Sequence, residues 1–386
     1  MPVVEENNVM SKVAQILDQE VLDFLDQISK TCAERDKKCE SISREDLASR
    51  AARKILSASI PEEFGGAGLN YMEWGRVLEE IGRVCEDGSF GLLISMFPAV
   101  ASTIFESKND YLIDRYAKGI LDGSTFVSFA YTESTDAFNF QTLLRENGDD
   151  LEISGEKVML TGGSIADAFM TYVAKEGSND LYVVMIDAQD DGVEIEPIWT
   201  MGLRSSGFAK IRMKNVRIPA DRLLVNNGGG LSHAQNFLNP RRVVLSSWSV
   251  GRIARTINMC SEYVNRTIRY TNPLASYGSV QSTFGEMRIA YESAKTMVHT
   301  SLRLLTANQL GLAQEEDDHT SATKFRCVEA GMLITQKTFE LMGGAAYCHP
   351  NPIERYVRDG LGSVSGAGAQ DIVKINTGVK TLFASL

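Results

Sequence analysis

The chain has 386 residues, of which 44% are hydrophobic and 23% are charged. This balance is typical of a globular protein, and the length is sufficient for two or three packed units. The formal net charge of −11 argues against a nucleic-acid surface, because phosphate binding needs clustered Lys and Arg. No uninterrupted apolar run long enough for a membrane span and no basic-then-apolar leader occurs, so we expect a cytoplasmic protein with no membrane partner.

Cysteine and histidine are dispersed along the chain. The six cysteines include no pair at the two-residue spacing of a zinc or redox motif, and the four histidines form no His-Glu-x-x-His pattern. We therefore expect reduced thiols, half of which fill the core, and no metal site.

Residues 9–125 have the periodicity of helices. Ser43, with Asp46 three residues later, is expected to cap a helix. A glycine-rich turn over 61–69 precedes another helix, which begins near Tyr71. The pattern predicts an N-terminal α-helical domain over residues 1–125.

The middle of the chain changes to the alternating pattern of strands, and turn residues separate the strands. Pro219 closes the last of them. We predict a small antiparallel β domain over residues 126–235. Its alternating or β-rich runs lie near 151–153, 169–174, 181–186 and 208–216.

Helical periodicity returns after the glycine run 228–230. Four long helices with short connections favour a bundle, which we place over residues 236–386. The fold class is thus α+β, with a helical domain, a β domain and a four-helix bundle in that order. The predicted bundle helices cover about 235–268, 280–310, 319–342 and 367–384.

Several short motifs follow one another in order between about residues 40 and 375. A Gly-Gly pair alone is usually only a tight turn, but the ordered set is similar to that of the acyl-CoA dehydrogenase family. The chain therefore resembles this family over most of its length. The motifs are 61–68 (PEEFGGAG), 131–133 (YTE), 153–157 (ISGEK), 160–163 (LTGG), 201–204 (MGLR), 215–219 (NVRIP), 342–344 (MGG) and 353–359 (IERYVRD).

The resemblance implies α,β-dehydrogenation of an acyl thioester carried by CoA or by an acyl carrier protein. In that reaction a carboxylate removes the α-proton while the β-hydride passes to N5 of FAD. The base needs a water-poor pocket that raises its pKa, and the thioester carbonyl must be polarised.

Neither position that holds the base in this family carries an acid here. The first position lies eight residues after Asp359 and is Ala367. The second precedes an arginine at the start of the first bundle helix, and it is Arg241, followed by the retained Arg242. The resemblance thus implies a divergent member that lacks the usual catalytic glutamate.

The flavin contacts implied by the resemblance are partly kept. Thr132 and Thr161 would donate to the flavin, although both could be ordinary strand threonines. Met159 takes the place of a tryptophan beside the flavin ring, and the loop 134–139 is shorter than in the family. The implied cofactor-binding positions are Phe129, Thr132, Met159, Thr161, Gly343, Gly344 and Gly368.

Other implied flavin contacts are lost, which leaves FAD binding open. Thr267 replaces an arginine that would reach the diphosphate of a neighbouring subunit, although Arg266 or Arg269 could substitute. Gly278 and Glu340 each replace a glutamine. A carboxylate near a diphosphate repels it unless the carboxylate is paired or protonated.

The substrate side of the site is implied at Glu133, Asn239 and Arg241. Arg242 either shapes the acyl pocket or pairs with an acid such as Glu133. In the 353–359 motif, the charged residues are expected to form a structural ion-pair cluster rather than catalytic groups. They are Glu354, Arg355, Arg358 and Asp359.

Four residues are candidates for a replacement base in this fold: Glu133, Asp136, Asp371 and His349. A histidine is attractive because it titrates near neutral pH. His349 could equally be an exposed loop residue beside two prolines.

Two hypotheses of different classes follow. The first is an FAD-dependent oxidoreductase that acts on a CoA- or carrier-bound acyl thioester, as in the tailoring enzymes of secondary metabolism. The second is a flavin-free protein of the same fold, which performs non-redox thioester chemistry or serves in binding and assembly. The resemblance also implies a homodimer or homotetramer, because the bundle of this family packs against its copy.

Overall fold

A computed structural model describes residues 6–135, 139–148, 150–178, 180–226, 228–311 and 318–383, without the side chains of Asp318, Asn376 and Lys380. The order of its elements is helical, then β, then helical. The predicted α+β fold class and domain order are confirmed.

Seven helices form the N-terminal domain of the described chain. Ser43 caps α3 by accepting the backbone N–H of Asp46, and Asn70 caps α5 in a reciprocal box with Glu73. Both predicted helix starts are therefore confirmed. The helices are α1 (Glu6–Ile16), α2 (Gln19–Lys38), α3 (Arg44–Ala48), α4 (Arg50–Leu56), α5 (Tyr71–Val84), α6 (Gly88–Glu106) and α7 (Asp110–Asp122).

Helix α6 is long and apolar enough to cross a membrane by length and composition, but 83% of its apolar window is buried within the protein. Its neighbours include strand β1 of the middle domain and the first helix of the C-terminal domain. It is therefore a core helix on which the other two domains meet.

The middle domain is one sheet with the order β6-β7-β3-β2-β4-β5-β8, and β1 pairs with β4. The prediction of a purely antiparallel sheet is wrong, because β1 and β2 both run parallel to β4. Alternation shows which side chains are buried but not the direction of the neighbouring strand. The strands are β1 (Val127–Ala130), β2 (Leu143–Asn147), β3 (Asp150–Leu160), β4 (Ala168–Lys175), β5 (Leu181–Asp187), β6 (Val193–Pro197), β7 (Ala209–Pro219) and β8 (Leu223–Val225).

The C-terminal domain begins with α8 at Gly230, about five residues before the predicted start of its first helix. It also contains a helix that was not predicted, α12, so the four-helix description is incomplete. Glycines at 360, 362 and 366 weaken the helical signal there, although Asn351 followed by Pro352 is a recognisable start. The elements are α8 (Gly230–Arg266), the hairpin β9 (Ile268–Arg269) and β10 (Asn272–Pro273), α9 (Gly278–Gln309), α10 (Asp318–Met342), α11 (Gly344–Tyr347), α12 (Pro352–Ser365) and α13 (Gln370–Phe383).

Helices α5 and α8 cross with their backbones in contact. A Cβ on Gly251 would lie 1.8 Å from the carbonyl oxygen of Glu79, and one on Gly82 would lie 2.1 Å from that of Trp248. Only glycine permits this approach at both positions. The crossing fixes α8 against the N-terminal domain, and α8 carries Arg241 and Arg242.

Candidate active site

Three of the predicted flavin residues lie together where β1 ends beside β3, a place that we call the Met159 edge. The backbone N–H of Val158 donates to the carbonyl of Thr132 at 2.8 Å, and the Ser128 hydroxyl donates to the carbonyl of Thr161 at 2.8 Å. Near Met159 the register of β3 against β7 shifts, and Met159 has a positive φ of 59°. Such an irregularity turns a side chain outward, and Met159 is 47% exposed.

Phe129 connects this edge to α8 through an aromatic cluster. Its ring stacks on Phe237 with centroids 4.8 Å apart and lies 5.8 Å from Tyr131 and 5.5 Å from Tyr172. Phe129 therefore lies between the Met159 edge and the helix that carries the two arginines.

His233 joins the same cluster, and sequence reasoning missed it. Its Nδ1 lies 2.7 Å from the hydroxyl of Tyr172, and burial lowers the pKa of His233, so the imidazole is neutral at neutral pH. His233, Phe237 and Arg241 follow at intervals of four residues, which places them on one face of α8. The four-residue spacing of these side chains is the sequence pattern from which the position of His233 could have been predicted.

Arg242 fixes the loop that carries Ala367. Its Nε donates to the carbonyl of Ala367 at 3.1 Å, and its Nη1 donates to Asn239 Oδ1 at 2.8 Å and to Ser321 Oγ at 3.1 Å. Ala367 has a φ of 53°, and Gly368 follows with 95°. The structure thus brings together four of the predicted site residues, and the loop between α12 and α13 is a sharp left-handed turn.

Lys324 holds the same loop from α10, although it was not predicted. Its Nζ donates to the carbonyl of Gly368 at 2.8 Å and to Gln370 Oε1 at 3.0 Å, and it lies 3.5 Å from the carbonyl oxygen of Val364. Burial, and next the charge of Arg242, lower the pKa of Lys324 to about 8. The loop is therefore anchored by two cationic side chains through backbone carbonyls.

Arg241 has different neighbours from Arg242. Its Nη2 donates to the carbonyl of Ala99 in α6 at 3.1 Å, and its guanidinium lies 4.8 Å from the ring centroid of Phe237. Its Nε is buried without a hydrogen-bond partner. Arg241 therefore faces α6 and the aromatic cluster, whereas Arg242 holds Ala367.

Glu133 pairs with Lys157 rather than with Arg242. Its carboxylate accepts Lys157 Nζ at 2.6 Å and the backbone N–H groups of Gln141 at 2.6 Å and Thr142 at 3.1 Å. Burial alone would raise the pKa of Glu133, but Lys157 and these hydrogen bonds outweigh burial, and the pKa is lowered. A carboxylate held ionised in this way is unsuited to serve as the replacement base.

The side chains of two other candidate bases, Asp371 and His349, pair with groups other than the Ala367 loop. The Asp371 side chain is 82% exposed and pairs with Lys374 at 2.6 Å. The His349 side chain is 63% exposed, and its Nδ1 lies 3.2 Å from Glu354 Oε1. Asp136 lies outside the described residues.

Gly343 and Gly344 lie at the far end of the domain. The hydroxyl of Tyr263 donates to the carbonyl of Met342 at 3.2 Å, and Tyr263 is about 30 Å along α8 from Arg242 at roughly 1.5 Å per residue. A Cβ on either glycine would meet nothing within 4 Å. Within one chain, this pair is therefore not brought to the Ala367 loop.

The charge of Glu340, beside this glycine pair, is balanced. Its Oε2 lies 3.5 Å from Lys337 Nζ, and its Oε1 accepts Gln336 Nε2 at 3.0 Å. Arg266, one of the proposed substitutes for the missing arginine, pairs with Glu262 at 2.8 Å. The repulsion expected from a lone carboxylate at 340 is therefore reduced.

The predicted ion-pair cluster is structural, as expected. Arg358 pairs with Asp36 at 2.7 Å and with Glu354 at 2.8 Å, and Asp359 pairs with Arg252 at 3.0 Å. The cluster joins α2, α8 and α12, and it lies apart from the residues around Ala367.

Comparison with known protein families accounts for all three domains in the order found. The acyl-CoA dehydrogenase N-terminal domain matches residues 10–124, its middle domain matches 128–216, and its C-terminal domain matches 228–381. The chain belongs to the acyl-CoA dehydrogenase family.

Individual relatives within the acyl-CoA dehydrogenase family are distant. The 3-(aryl)acrylate reductase of Clostridium sporogenes is 23% identical over 364 residues, covering 92% of this chain and 93% of the relative. The solved structure of the prolyl acyl carrier protein oxidase AnaB has a TM-score of 0.84 at 19% identity and covers 95% of this chain and 99% of that one. Butyryl-CoA dehydrogenase of Megasphaera elsdenii has a TM-score of 0.87 at 20% identity, covering 97% and 98%. These structures share the fold.

Proposed function

We propose that this acyl-CoA dehydrogenase family member is an FAD-dependent oxidoreductase that acts on an acyl thioester of CoA or of an acyl carrier protein. The observation that carries the proposal is the single edge formed by Thr132, Met159 and Thr161. Met159 is 47% exposed there, at the position where the family resemblance puts the flavin ring. Its relatives include a butyryl-CoA dehydrogenase and a prolyl acyl carrier protein oxidase, which supports both kinds of carrier.

The residues present fit FAD. Met159, 47% exposed, offers an apolar surface of the kind that stacks on a flat ring, and the nearby chain carries two hydroxyl side chains, Thr132 and Thr161. Lys337, which also lies 3.9 Å from Glu286, reduces the repulsion expected from Glu340, and a Cβ on Gly343 would meet nothing within 4 Å. When bound there, FAD supplies a two-electron acceptor for a hydride.

The chain's own residues form the wall that the acyl thioester would contact. Arg242 and Lys324 hold the backbone of the α12–α13 loop, so the wall that carries Ala367 is fixed. Ala367 itself offers no proton acceptor. We therefore expect α-proton removal to be slow with ordinary saturated thioesters, because a positioned base contributes about 10²–10⁴-fold to such a step.

We also propose that the protein is a homodimer or homotetramer. The C-terminal domain has large apolar side chains that the described part of the chain leaves exposed, an arrangement that marks association surfaces. The glycine pair at 343–344 lies on this same domain and far from the Ala367 loop. In an oligomer, this pair would contact the cofactor of a second copy. The exposed side chains include Ile268, Tyr270, Ile289, Ile375, Val379, Leu382 and Phe383.

The alternative function is a flavin-free protein that binds acyl thioesters for non-redox chemistry or assembly. The observation that favours it is the replacement of both base positions by Ala367 and Arg241.

Anaerobic reduction of the FAD-loaded protein tests the redox proposal. A panel of saturated acyl thioesters of CoA and of pantetheine should bleach the flavin absorbance with at least one member, or α,β-unsaturated thioesters should reoxidise flavin that dithionite has reduced. Free CoA and the free acids are the controls. FAD-loaded protein that responds to no thioester in either direction would favour non-redox chemistry.

A further inference from the structure

We propose that Lys157 is a positioning residue for the flavin. Its buried ammonium holds the segment that follows β1 against β3, so that Thr132 and Met159 stay together on the Met159 edge. This inference rests on the proposed function, because it assigns a role in FAD binding to a buried side chain that joins the two strands of that edge.

The first observation is the burial of a charged pair. The side chain of Lys157 is 0% exposed and that of Glu133 is 5% exposed, and Lys157 Nζ donates to Glu133 Oε1 at 2.6 Å. The ammonium also lies 4.4 Å from the ring centroid of Phe140. Burial lowers the pKa of Lys157 to about 8, and the charge of Glu133 opposes that fall. A lysine is almost never buried so completely unless it is paired, so the contacts of this ammonium account for its place in the sheet.

The second observation is what the contacts of Lys157 connect. Strand β1 pairs with β4, and the three residues that follow β1 lie beyond that pairing. Lys157 Nζ donates to the carbonyl of Tyr131 at 3.3 Å as well as to Glu133. Between these two residues, the carbonyl of Thr132 accepts the N–H of Val158 at 2.8 Å. All three residues after β1 are thus tied to two consecutive residues of β3.

The third observation is the position of Lys157 at the irregularity that exposes Met159. The register of β3 against β7 shifts between Lys157 and Leu160, and Met159, between them, has a φ of 59° and is 47% exposed. Regular pairing with β7 is therefore interrupted next to Met159. The contacts of Lys157 with residues 131 and 133 supply a fixed point two residues before it.

Glu133 extends the same support to the loop between β1 and β2. Its carboxylate accepts the backbone N–H groups of Gln141 at 2.6 Å and of Thr142 at 3.1 Å, so it joins the two ends of that loop. Because Lys157 is buried against this carboxylate, it holds both ends of the loop to β3. Loss of the ammonium should therefore displace the loop and the Met159 edge together.

The affinity for FAD and the free energy of unfolding in urea should be measured side by side on the full chain. We expect Lys157→Met to weaken FAD binding at least about tenfold, as for a lost charge-assisted hydrogen bond. It should also destabilise the fold, because Glu133 stays buried without its partner. Adding Glu133→Gln to this variant should restore most of the stability but not the FAD affinity. Glu133→Gln alone, which keeps an oxygen that Lys157 can donate to, should retain most of the FAD affinity. Arg217→Met, at a 66% exposed arginine of the same sheet, should leave the FAD affinity unchanged.

An FAD affinity that is lost in Lys157→Met and fully recovered together with stability in the double variant would overturn this inference, because the pair would then only stabilise the β domain. Unchanged FAD affinity in Lys157→Met would overturn it as well, and both results would leave the proposed function standing. Wild-type protein that binds no FAD would overturn the proposed function and this inference together.

Discussion

Ala367→Glu is expected to accelerate anaerobic flavin reduction by a saturated acyl thioester by about 100-fold over the wild-type protein. A correctly placed general base contributes roughly 10²–10⁴-fold to proton transfer. The lower end is expected here, because Arg242, within hydrogen-bond distance of the Ala367 backbone, would keep a new carboxylate ionised and weaken it as a base.

The loop should tolerate this substitution. Ala367 already adopts a φ of 53° with a Cβ, and Arg242 and Lys324 hold the backbone on either side rather than the side chain. Ala367→Gln is the matched control, since it has nearly the same shape but is no base. Equal rates for the two variants would show that the pocket no longer presents the α-carbon to this position.

Arg252→Met is expected to lower the free energy of unfolding by about 3–5 kcal/mol at neutral pH, because it leaves a buried carboxylate without its partner. Arg252 Nη2 pairs with Asp359 at 3.0 Å, and the two side chains are only 10% and 12% exposed. Its Nη1 also donates to the carbonyl of Glu86 at 3.1 Å, and Asp359 accepts the N–H of Leu203 at 2.7 Å. This one pair therefore ties together all three domains.

Asp359→Asn should lower the free energy of unfolding by less than Arg252→Met does. Arg252 would keep the carbonyl of Glu86 and its position over the ring of Tyr356, 3.6 Å from the centroid. Urea denaturation of both variants measures the difference. Arg217→Met is the control, because the Arg217–Glu152 pair, whose arginine side chain is 66% exposed, should contribute no more than about 1 kcal/mol. A loss of less than about 1 kcal/mol of unfolding free energy in Arg252→Met would contradict the interpretation. A larger loss in Asp359→Asn than in Arg252→Met would contradict it as well.

The pH dependence of the Arg252→Met variant has a definite sign. Burial raises the pKa of Asp359 above 3.8, and the charge of Arg252 opposes this rise. Without Arg252 the folded-state pKa rises further, so over the window above 3.8 the folded state binds more protons than the unfolded state. Stability then falls as pH rises through that window. The difference in the free energy of unfolding between the wild-type protein and Arg252→Met should therefore become smaller at acidic pH.

Local patterns predicted the features that local chemistry determines. The cap at Ser43, the helix start near Tyr71, the domain order and the structural role of the charged residues of α12 follow from short-range signals. Lys324 and His233 were missed because their importance depends on partners far away in sequence, the α12–α13 loop and Tyr172. Glu133 was misjudged for the same reason, since its partner Lys157 lies on another strand.

The structure of α8 shows that the two adjacent arginines point in different directions, which the sequence motif did not predict. Neighbouring residues on a helix differ by about 100° in direction, so Arg241 and Arg242 cannot face the same group. The resemblance placed Arg241 on the substrate side and left Arg242 either to shape the acyl pocket or to pair with an acid. In the structure, one contacts Ala99 of α6 and the other holds the carbonyl of Ala367.

Titration of the purified protein with FAD tests most directly whether this fold retains a flavin. We expect saturable binding of one FAD per chain, with a shifted flavin absorbance and altered flavin fluorescence. Met159→Asp should weaken binding because it places a charge on the exposed edge of β3, whereas Met201→Asp, at a methionine of similar exposure in the same domain, should not. Protein that stays colourless and leaves the spectrum of added FAD unchanged would contradict the proposed flavin-dependent function.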